Sequence, residues 1–436
     1  GGDFNTAQGY RATIVGGSDN VGDSNSVVVG GEENSATAYA AGIMGGDSNS
    51  ISGDYGVIGG GRNNHVSERY GVVVGGDSNT AIAYAYYSTI TGGEGNVVSE
   101  MYALVAGGQS GTSSGYSATV GGGRSNIASG RYATVVGGEF NVASEVTATV
   151  SGGYANSASG YYSTVVGGAS GEASTYGATV SGGISNKAWG YCATVVGGDA
   201  STAQGYSSTV VGGYGNSASG VYGVVVGGEN NMASYYAATV SGGSGNQVSE
   251  DYATVVGGDA NTVSGSRATI GGGYQHSAEA EFSTVVGGAG NTVTGFGSTI
   301  AGGESQTASA YSSTIVGGDA NLVSGDYSTI GGGSSNSAQG YFSVIMGGRV
   351  SSSEGAYNMI GGGRGHETKG DYATVVGGKD NGIDAETEFA TVAGGFSLRA
   401  GAPFAFLGGG LQNSVGGNFG YIGGGKRNRA VGPDSS

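Results

Sequence analysis

A Gly-Gly pair recurs every 15 residues along almost the whole chain, and this period constrains the fold more than any other feature. Of the 28 intervals between successive pairs, 25 are 15 residues long, one is 14 and two are 17. Such a period is typical of repeat architectures, in which units stack because one unit cannot bury its own apolar face. The repeat therefore predicts a single continuous solenoid domain over residues 1–432, followed by a tail at 433–436.

The repeating unit contains two strand signals and two turn signals. Its consensus is x-x-Asn-x-Ala-Ser-Gly-x-Tyr-Ala/Ser-Thr-Val-Val-Gly-Gly, as in residues 154–168, and its positions are numbered 1 to 15 below. Positions 9–13 are rich in β-branched and aromatic residues, which favour a strand, and positions 3–6 are a weaker extended segment. Glycine at positions 7, 14 and 15 indicates the turns, because glycine allows positive φ and close backbone approach. We therefore expect an all-β parallel β-solenoid of about 28 coils.

The alternation of side chains along a strand predicts which positions face inward. Positions 10 and 12 share one face, and positions 9, 11 and 13 share the other. We expect three positions to form the interior of the coil: position 10 with its small residues, position 12 with Val or Ile, and position 5 with Ala. Position 3 is Asn in 21 of 29 occurrences, which predicts a ladder of Asn side chains. Position 11 predicts a Thr ladder, whose first unbroken run is Thr119, Thr134, Thr149, Thr164, Thr179, Thr194 and Thr209.

Position 13 alternates between large and small residues in the second half of the chain. A surface patterned in this way is suited to interdigitation with a partner, so we expect a self-association face. The alternative interpretation is that neighbouring coils alternate only to relieve crowding within one chain. The positions concerned are Val226, Ser241, Val256, Gly271, Val286, Ala301, Val316, Gly331, Met346, Gly361 and Val376.

Composition excludes several functional classes. The formal net charge is −17 and no basic stripe is present, so nucleic acid is not an expected partner. The sequence contains no run of 18 apolar residues, so no membrane span is predicted. The only cysteine, Cys192, occupies a variable position where neighbouring repeats carry Tyr or other residues, and it is interpreted as incidental. His276 and His366 occupy the Asn position, where they are interpreted as polar turn residues. No catalytic constellation is recognised, so we expect neither an enzyme nor a bound cofactor.

The two 17-residue intervals are the expected places for specific binding, because loops on a regular scaffold often carry function. The first, residues 77–93, adds an aromatic bulge for binding that contains Tyr84, Tyr86 and Tyr87. The second, residues 379–395, contains an acidic group that is a weak candidate for a Ca²⁺ site, with a solvated loop as the alternative. That group consists of Asp380, Asp384, Glu386 and Glu388.

The repeat resembles the head repeats of YadA-like trimeric autotransporter adhesins, here with one extra residue per unit. The residues that match the family pattern in order are Asn156, Ala158, Gly160, Ser163, Val165, Val166 and Gly167. The resemblance implies a left-handed β-roll, a side-by-side homotrimer and a bacterial surface adhesin. No heptad stalk or membrane-barrel anchor of the family is recognised in these residues, so we expect either an excised head or a free-standing fibre subunit.

The expected function is that of a non-enzymatic extracellular fibre subunit that associates with copies of itself and contacts host cells or matrix. The repeat begins and stops without a capping sequence, which favours end-to-end stacking into a filament. One alternative is an ice-binding solenoid that uses the Thr ladder, although such faces usually carry paired Thr rows and this one has a single row. Another alternative is a phage tail-fibre module, and a carbohydrate-acting β-helix is disfavoured because no acidic cluster lies in neighbouring coils.

Overall fold

The computed structural model describes residues 1–432, and these residues form an all-β parallel β-solenoid without helices. The prediction of about 28 two-strand coils is therefore confirmed. The structure divides into two compact units, Gly1–Ser219 and Gly220–Ser436, and each is described by itself. The predicted tail at 433–436 lies outside the described residues.

Each coil contributes one two-residue strand to each of two parallel ladders. The strands at positions 4 and 5 form the A ladder, and those at positions 11 and 12 form the B ladder. Successive coils pair in register, as in Ser157 with Glu172 and Thr164 with Thr179. A third ladder of isolated bridges follows position 1, as in Tyr154 with Ala169. The backbone hydrogen bonds of each unit therefore run from coil to coil.

The strands of the first unit have the following bounds. In the A ladder they are Thr6–Ala7, Val21–Gly22, Ser35–Ala36, Ser50–Ile51, His65–Val66, Thr80–Ala81, Val97–Val98, Thr112–Ser113, Ile127–Ala128, Val142–Ala143, Ser157–Ala158, Glu172–Ala173, Lys187–Ala188, Thr202–Ala203 and Ser217–Ala218. In the B ladder they are Thr13–Ile14, Val27–Val28, Gly42–Ile43, Val57–Ile58, Val72–Val73, Thr89–Ile90, Leu104–Val105, Thr119–Val120, Thr134–Val135, Thr149–Val150, Thr164–Val165, Thr179–Val180, Thr194–Val195 and Thr209–Val210.

The second unit repeats the same arrangement. Its A-ladder strands are Met232–Ala233, Gln247–Val248, Thr262–Val263, Ser277–Ala278, Thr292–Val293, Thr307–Ala308, Leu322–Val323, Ser337–Ala338, Ser352–Ser353, Glu367–Thr368, Gly382–Ile383, Arg399–Ala400, Ser414–Val415 and Arg429–Ala430. Its B-ladder strands are Val224–Val225, Thr239–Val240, Thr254–Val255, Thr269–Ile270, Thr284–Val285, Thr299–Ile300, Thr314–Ile315, Thr329–Ile330, Val344–Ile345, Met359–Ile360, Thr374–Val375, Thr391–Val392, Phe406–Leu407 and Tyr421–Ile422.

The interior of each coil is thin and consists of positions 5, 10 and 12, as the alternation predicts. In one coil Ala158, Ser163 and Val165 are all completely buried. The small residues at positions 5 and 10 allow the two ladders to lie close together, and the branched residue at position 12 fills the remaining space. This pattern recurs in both units and confirms the predicted core.

The predicted strand over positions 9–13 is wrong at its start, because position 9 belongs to a turn. Tyr162 at this position has φ of 57°, in the left-handed region that most side chains avoid. The turn is closed by a hydrogen bond from the N–H of position 10 to the carbonyl of position 7, as in Ser163 to Gly160 at 3.1 Å. The strand proper therefore shortens to positions 11 and 12.

Glycine has a different role at each corner. Gly153, at position 15, has φ of 95°, and a Cβ there would lie 2.2 Å from the carbonyl oxygen of Gly168. Gly160, at position 7, has no positive φ, which corrects the prediction for that turn. A Cβ on Gly160 would lie 2.0 Å from the carbonyl oxygen of Thr175, so close approach between coils explains this glycine.

The Asn side chains at position 3 form the predicted ladder, although most of its bonds go to backbone rather than to other amides. Asn321 Nδ2 donates to the carbonyl oxygens of Gly317 at 3.1 Å and Gly333 at 3.0 Å. Its Oδ1 accepts the N–H of Asn336 in the next coil at 2.9 Å. The buried amide thus joins successive coils at the Gly-Gly corner and gives the Gly317 carbonyl and the Asn336 N–H a side-chain partner.

Two histidines replace Asn in this ladder in the second unit. His276 is buried, and its Nδ1 accepts the N–H of Asn291 at 3.1 Å, while its Nε2 has no hydrogen-bond partner. His366 is also buried, its Nδ1 accepts the N–H of Asn381 at 3.3 Å, and its Nε2 is likewise unpartnered. Burial lowers the pKa of both imidazoles below the usual value. Both side chains are therefore held in the neutral form near pH 7.

Candidate interaction surface

The outward side of the B ladder carries two rows of side chains, at positions 11 and 13, and is called the B face below. In the first unit the Thr ladder from Thr119 to Thr209 lies on this face with half-buried side chains. Adjacent threonines are paired in register, as in Thr134 with Thr149. The sequence therefore placed this row on the outer side correctly, and the Thr hydroxyls form one regular row.

The position-13 residues of the second unit form an exposed apolar stripe. Its large members are 45–60 % exposed, with Val226 least and Met346 most accessible. The large and small members alternate along the stripe. The other large members are Val256, Val286, Val316 and Val376, and the small members are Ser241, Gly271, Ala301, Gly331 and Gly361. The structure brings all eleven positions into one row on one face.

Crowding within one chain accounts for part of this alternation. A Cβ on Gly271, Gly331 or Gly361 would lie 2.5–2.7 Å from the carbonyl oxygen of position 13 in the next coil. Close approach therefore favours glycine at these three places. Ser241 and Ala301 carry a side chain at the same position, however, and both remain small. Close approach alone does not set the alternation, and the exposure of the large members has no explanation within one chain.

The B face contains no charged residue. Across the 28 coils, neither position 11 nor position 13 is ever Asp, Glu, Lys or Arg, although the chain has 47 such residues. The outward side of the A ladder differs, because Glu367 pairs with Lys369 at 2.8 Å and Asp384 pairs with Arg399 at 2.6 Å. Sequence reasoning missed this contrast, although the two uncharged columns were readable once the repeat was aligned.

Aromatic rings at positions 8 and 9 form a second surface feature, called the aromatic ladder below, which is interrupted at the coils of Thr147 and Arg267. In the second unit, rings from consecutive coils stack nearly parallel at centroid distances of 4.7–5.2 Å. The stacked rings of this stretch are Tyr357, Tyr372, Phe389, Phe404 and Phe419. About half of each ring is exposed. The ladder follows the corner between the A and B ladders.

The first insertion leaves the ladders in register and adds residues at the aromatic corner. Thr89 pairs with Val72, so the B ladder continues across the longer coil. Tyr87 stays in the aromatic ladder, stacked on Tyr70 at 4.8 Å. Tyr84 projects from the bulge and is 68 % exposed, whereas Tyr86 is half-buried. Of the three tyrosines of the predicted binding bulge, only Tyr84 therefore has a free ring, and Tyr86 and Tyr87 lie at the corner.

The acidic residues of the second insertion do not assemble a metal site. Asp384 Oδ1 lies 2.6 Å from Arg399 Nε, and Asp380 Oδ2 lies 3.9 Å from Lys379 Nζ. Within residues 1–432, no group of three or more His, Cys, Asp or Glu side chains, including Glu386 and Glu388, is arranged to hold a metal ion. The described residues therefore give the candidate Ca²⁺ site no support, and basic neighbours engage two of its four carboxylates.

Comparison with known proteins gives no relative on which to base a function. No family model matches the chain, and no curated protein matches it. Within the described part of the chain, no helix is long and apolar enough to cross a membrane. The functional argument therefore depends on the surfaces of the solenoid itself.

Proposed function

We propose that this protein is a non-enzymatic, extracellular structural and adhesive fibre subunit that associates side by side with copies of itself. The observation that carries the proposal is the B face of the second unit, which is regular, partly apolar and free of charge. Exposed apolar stripes on an otherwise polar surface mark interaction sites in soluble proteins. The resemblance to YadA-like heads adds support and implies a homotrimer at a bacterial surface.

The charge distribution favours a second copy of the same chain as the partner. Two molecules of net charge −17 repel each other, and the repulsion is strongest where like charges are brought close. A face without any charged side chain is where two such chains can approach at the least electrostatic cost. Charges on the A ladder, such as Glu367 and Arg399, keep that side of the unit hydrated.

The mass of the native protein in solution tests this proposal. We expect sedimentation equilibrium at physiological salt to give a mass that is a small multiple of 42.1 kDa. Negative-stain images of the same sample are expected to show elongated particles, and end-to-end filaments would add axial stacking to lateral association. A sample that remains monomeric at tens of micromolar would contradict the proposal.

Attachment to a host-cell or matrix surface is the second part of the proposal. The aromatic ladder and the free ring of Tyr84 remain accessible when the B face is covered, because they lie at the corner of the coil. We expect the protein to adsorb to a hydrophobic sensor surface, and Tyr84→Ser to adsorb less at an unchanged solution mass. Equal adsorption of the native protein and Tyr84→Ser would show that Tyr84 does not contribute to attachment.

The B face also supports ice binding as a second candidate function. Its Thr row is regular, and neighbouring threonines are one coil apart, about 4.8 Å. Support is weaker because, beside the two runs of Thr, position 13 supplies Val, Gly, Ser or Ala instead of a second Thr row. Thermal hysteresis at millimolar protein would favour this function, whereas its absence together with a self-associated mass would favour the fibre.

A further inference from the structure

We infer that the B face of the second unit pairs with the B face of a second copy in an antiparallel arrangement, about a two-fold axis that runs along the strands. This inference rests on the self-association proposed above, but not on the homotrimer that the resemblance implies, from which a two-fold pair departs. It adds the direction and register of the pair. It follows from the order of large and small residues at position 13, together with the absence of charge on that face.

Two isologous arrangements are open to a pair of identical faces. If the two-fold axis runs along the solenoid, the copies are parallel, each coil faces the same coil of its partner, and position 13 faces position 11. If the axis runs along the strands, the copies are antiparallel, and position 13 faces position 13. The two arrangements therefore place different side chains opposite the exposed stripe.

Only the antiparallel arrangement makes use of the alternation. An axis placed between the coils of Val286 and Ala301 sets a large residue opposite a small one throughout the stripe from 226 to 361. It places Val286 opposite Ala301, Val256 opposite Gly331 and Met346 opposite Ser241. In the parallel arrangement the same stripe faces position 11, which is Thr in seven consecutive coils from Thr239 to Thr329 and so offers no alternating gaps.

The surface is large enough for a specific pair. From Val226 to Gly361 the paired stripe covers 10 coils, about 48 Å at about 4.8 Å per coil, and positions 11–13 are about 10 Å wide. Pairing would bury on the order of 1,000 Å² in total, near the lower limit of specific interfaces. The interdigitated Val and Met side chains of both chains would be removed from water, and no charged group would be desolvated.

Cysteine pairing between two different variants tests the arrangement. In a Cys192→Ser background, which keeps a residue found at equivalent turns such as Ser207, we would prepare Ser241→Cys and Met346→Cys separately. Both positions are exposed, and they lie seven coils apart in one chain, so an intrachain disulfide is out of reach. Each variant alone and the 1:1 mixture, re-equilibrated together, would then be oxidised.

The antiparallel pair predicts a covalent dimer in the mixture and little or none in either variant alone. Self-linking of each variant, with no enrichment in the mixture, would overturn the arrangement. The solution mass of each variant, measured before oxidation, separates the two levels of the proposal. A self-associated protein without the mixed dimer contradicts only the antiparallel register, whereas a monomeric native protein contradicts self-association itself.

Discussion

The turn residue at position 9 adopts an unfavourable backbone conformation that its neighbours stabilise. Tyr372 has φ of 54°, a region that costs a residue other than glycine about 1–2 kcal/mol. Its ring stacks on Tyr357 at 4.9 Å and on Phe389 at 4.7 Å. Each aromatic pair contributes about 0.5–1.5 kcal/mol beyond burial, which is enough to offset the backbone term. Recurrence of aromatic residues at a strained turn is therefore explained by stacking between coils.

The Asn ladder makes its own prediction at the residue scale. Replacing Asn321 by Ala leaves the carbonyls of Gly317 and Gly333 and the N–H of Asn336 without a side-chain partner. We expect the free energy of unfolding, from urea titration, to fall by about 2–4 kcal/mol. Asn418→Ala, at an exposed turn position, serves as the control and should change it by less than about 0.5 kcal/mol. An equal decrease in the free energy of unfolding for the two variants would contradict a stabilising role of the Asn ladder.

The two histidines in the ladder predict acid sensitivity. Protonation would turn Nδ1 of His276 and His366 into a donor that faces the N–H of the next coil. Burial lowers the pKa of both below the unfolded value, and neighbouring backbone groups, with a smaller effect of the Asp380 carboxylate near His366, offset only part of this lowering. Because the folded-state pKa is the lower one, this contribution to stability is complete above about pH 6.5 and is lost as pH falls below it.

The double replacement of both histidines by Asn, the usual residue at position 3, tests this titration. We expect the urea midpoint of the native protein to fall between pH 7.5 and 5.5, and that of the double variant to fall clearly less. The range lies above the ordinary titration of Asp and Glu, so carboxylates contribute little to the comparison. Parallel decreases in the two proteins would show that the histidines do not cause the acid sensitivity.

At the scale of the elements, the solenoid tolerates insertions where they do not interrupt a ladder. Both 17-residue coils add their two residues between the A strand and the B strand, so Thr374 still pairs with Thr391 across the second insertion. The aromatic ladder also continues there, from Tyr372 to Phe389. Register in a stacked solenoid is therefore set by the ladders, and the corner absorbs the change in length.

The two tyrosines of the first insertion separate ladder packing from surface exposure. Tyr87 lies between Tyr70 at 4.8 Å and Tyr102 at 5.5 Å, whereas Tyr84 is free of the ladder. We expect Tyr87→Ala to lower the free energy of unfolding by about 1–2 kcal/mol and Tyr84→Ala by less than about 0.5 kcal/mol. Alanine occurs natively at the Tyr87 position in Ala40, so the backbone accepts it. The same free energy of unfolding for the two variants would show that the aromatic ladder does not stabilise the fold.

Sequence periodicity predicted the coil, its core and the Asn ladder, because each follows from alternation and repetition alone. It did not predict that Tyr162 lies in a turn, since a Tyr-rich segment has the composition of a strand and only stacking between coils reveals its other role. Nor did it predict the pairing of Asp384 with Arg399, which are 15 residues apart and meet only because the coils stack. Contacts between coils are what a linear pattern leaves out.

At the scale of the whole molecule, charge is excluded from one side of each unit. Charged side chains occur on the outward side of the A ladder and along the position-1 ladder, whereas every position-11 and position-13 residue of the B ladder is uncharged. A chain of net charge −17 needs charge for solubility, so its complete absence from one regular face requires a specific reason. The self-association proposed above would supply that reason, because it buries this face against another copy of the chain.

A single introduced charge on each side gives the most direct measurement of this claim. Val316→Glu places a carboxylate on the B face, and Ser324→Glu places one on the A ladder, where Glu279 and Glu354 occur natively at the same position. Both sites are exposed, so far-ultraviolet circular dichroism is expected to show two folded proteins. In sedimentation equilibrium we expect Ser324→Glu to keep the native oligomeric mass and Val316→Glu to shift towards the 42.1 kDa monomer. The same oligomeric mass for both variants would contradict the account.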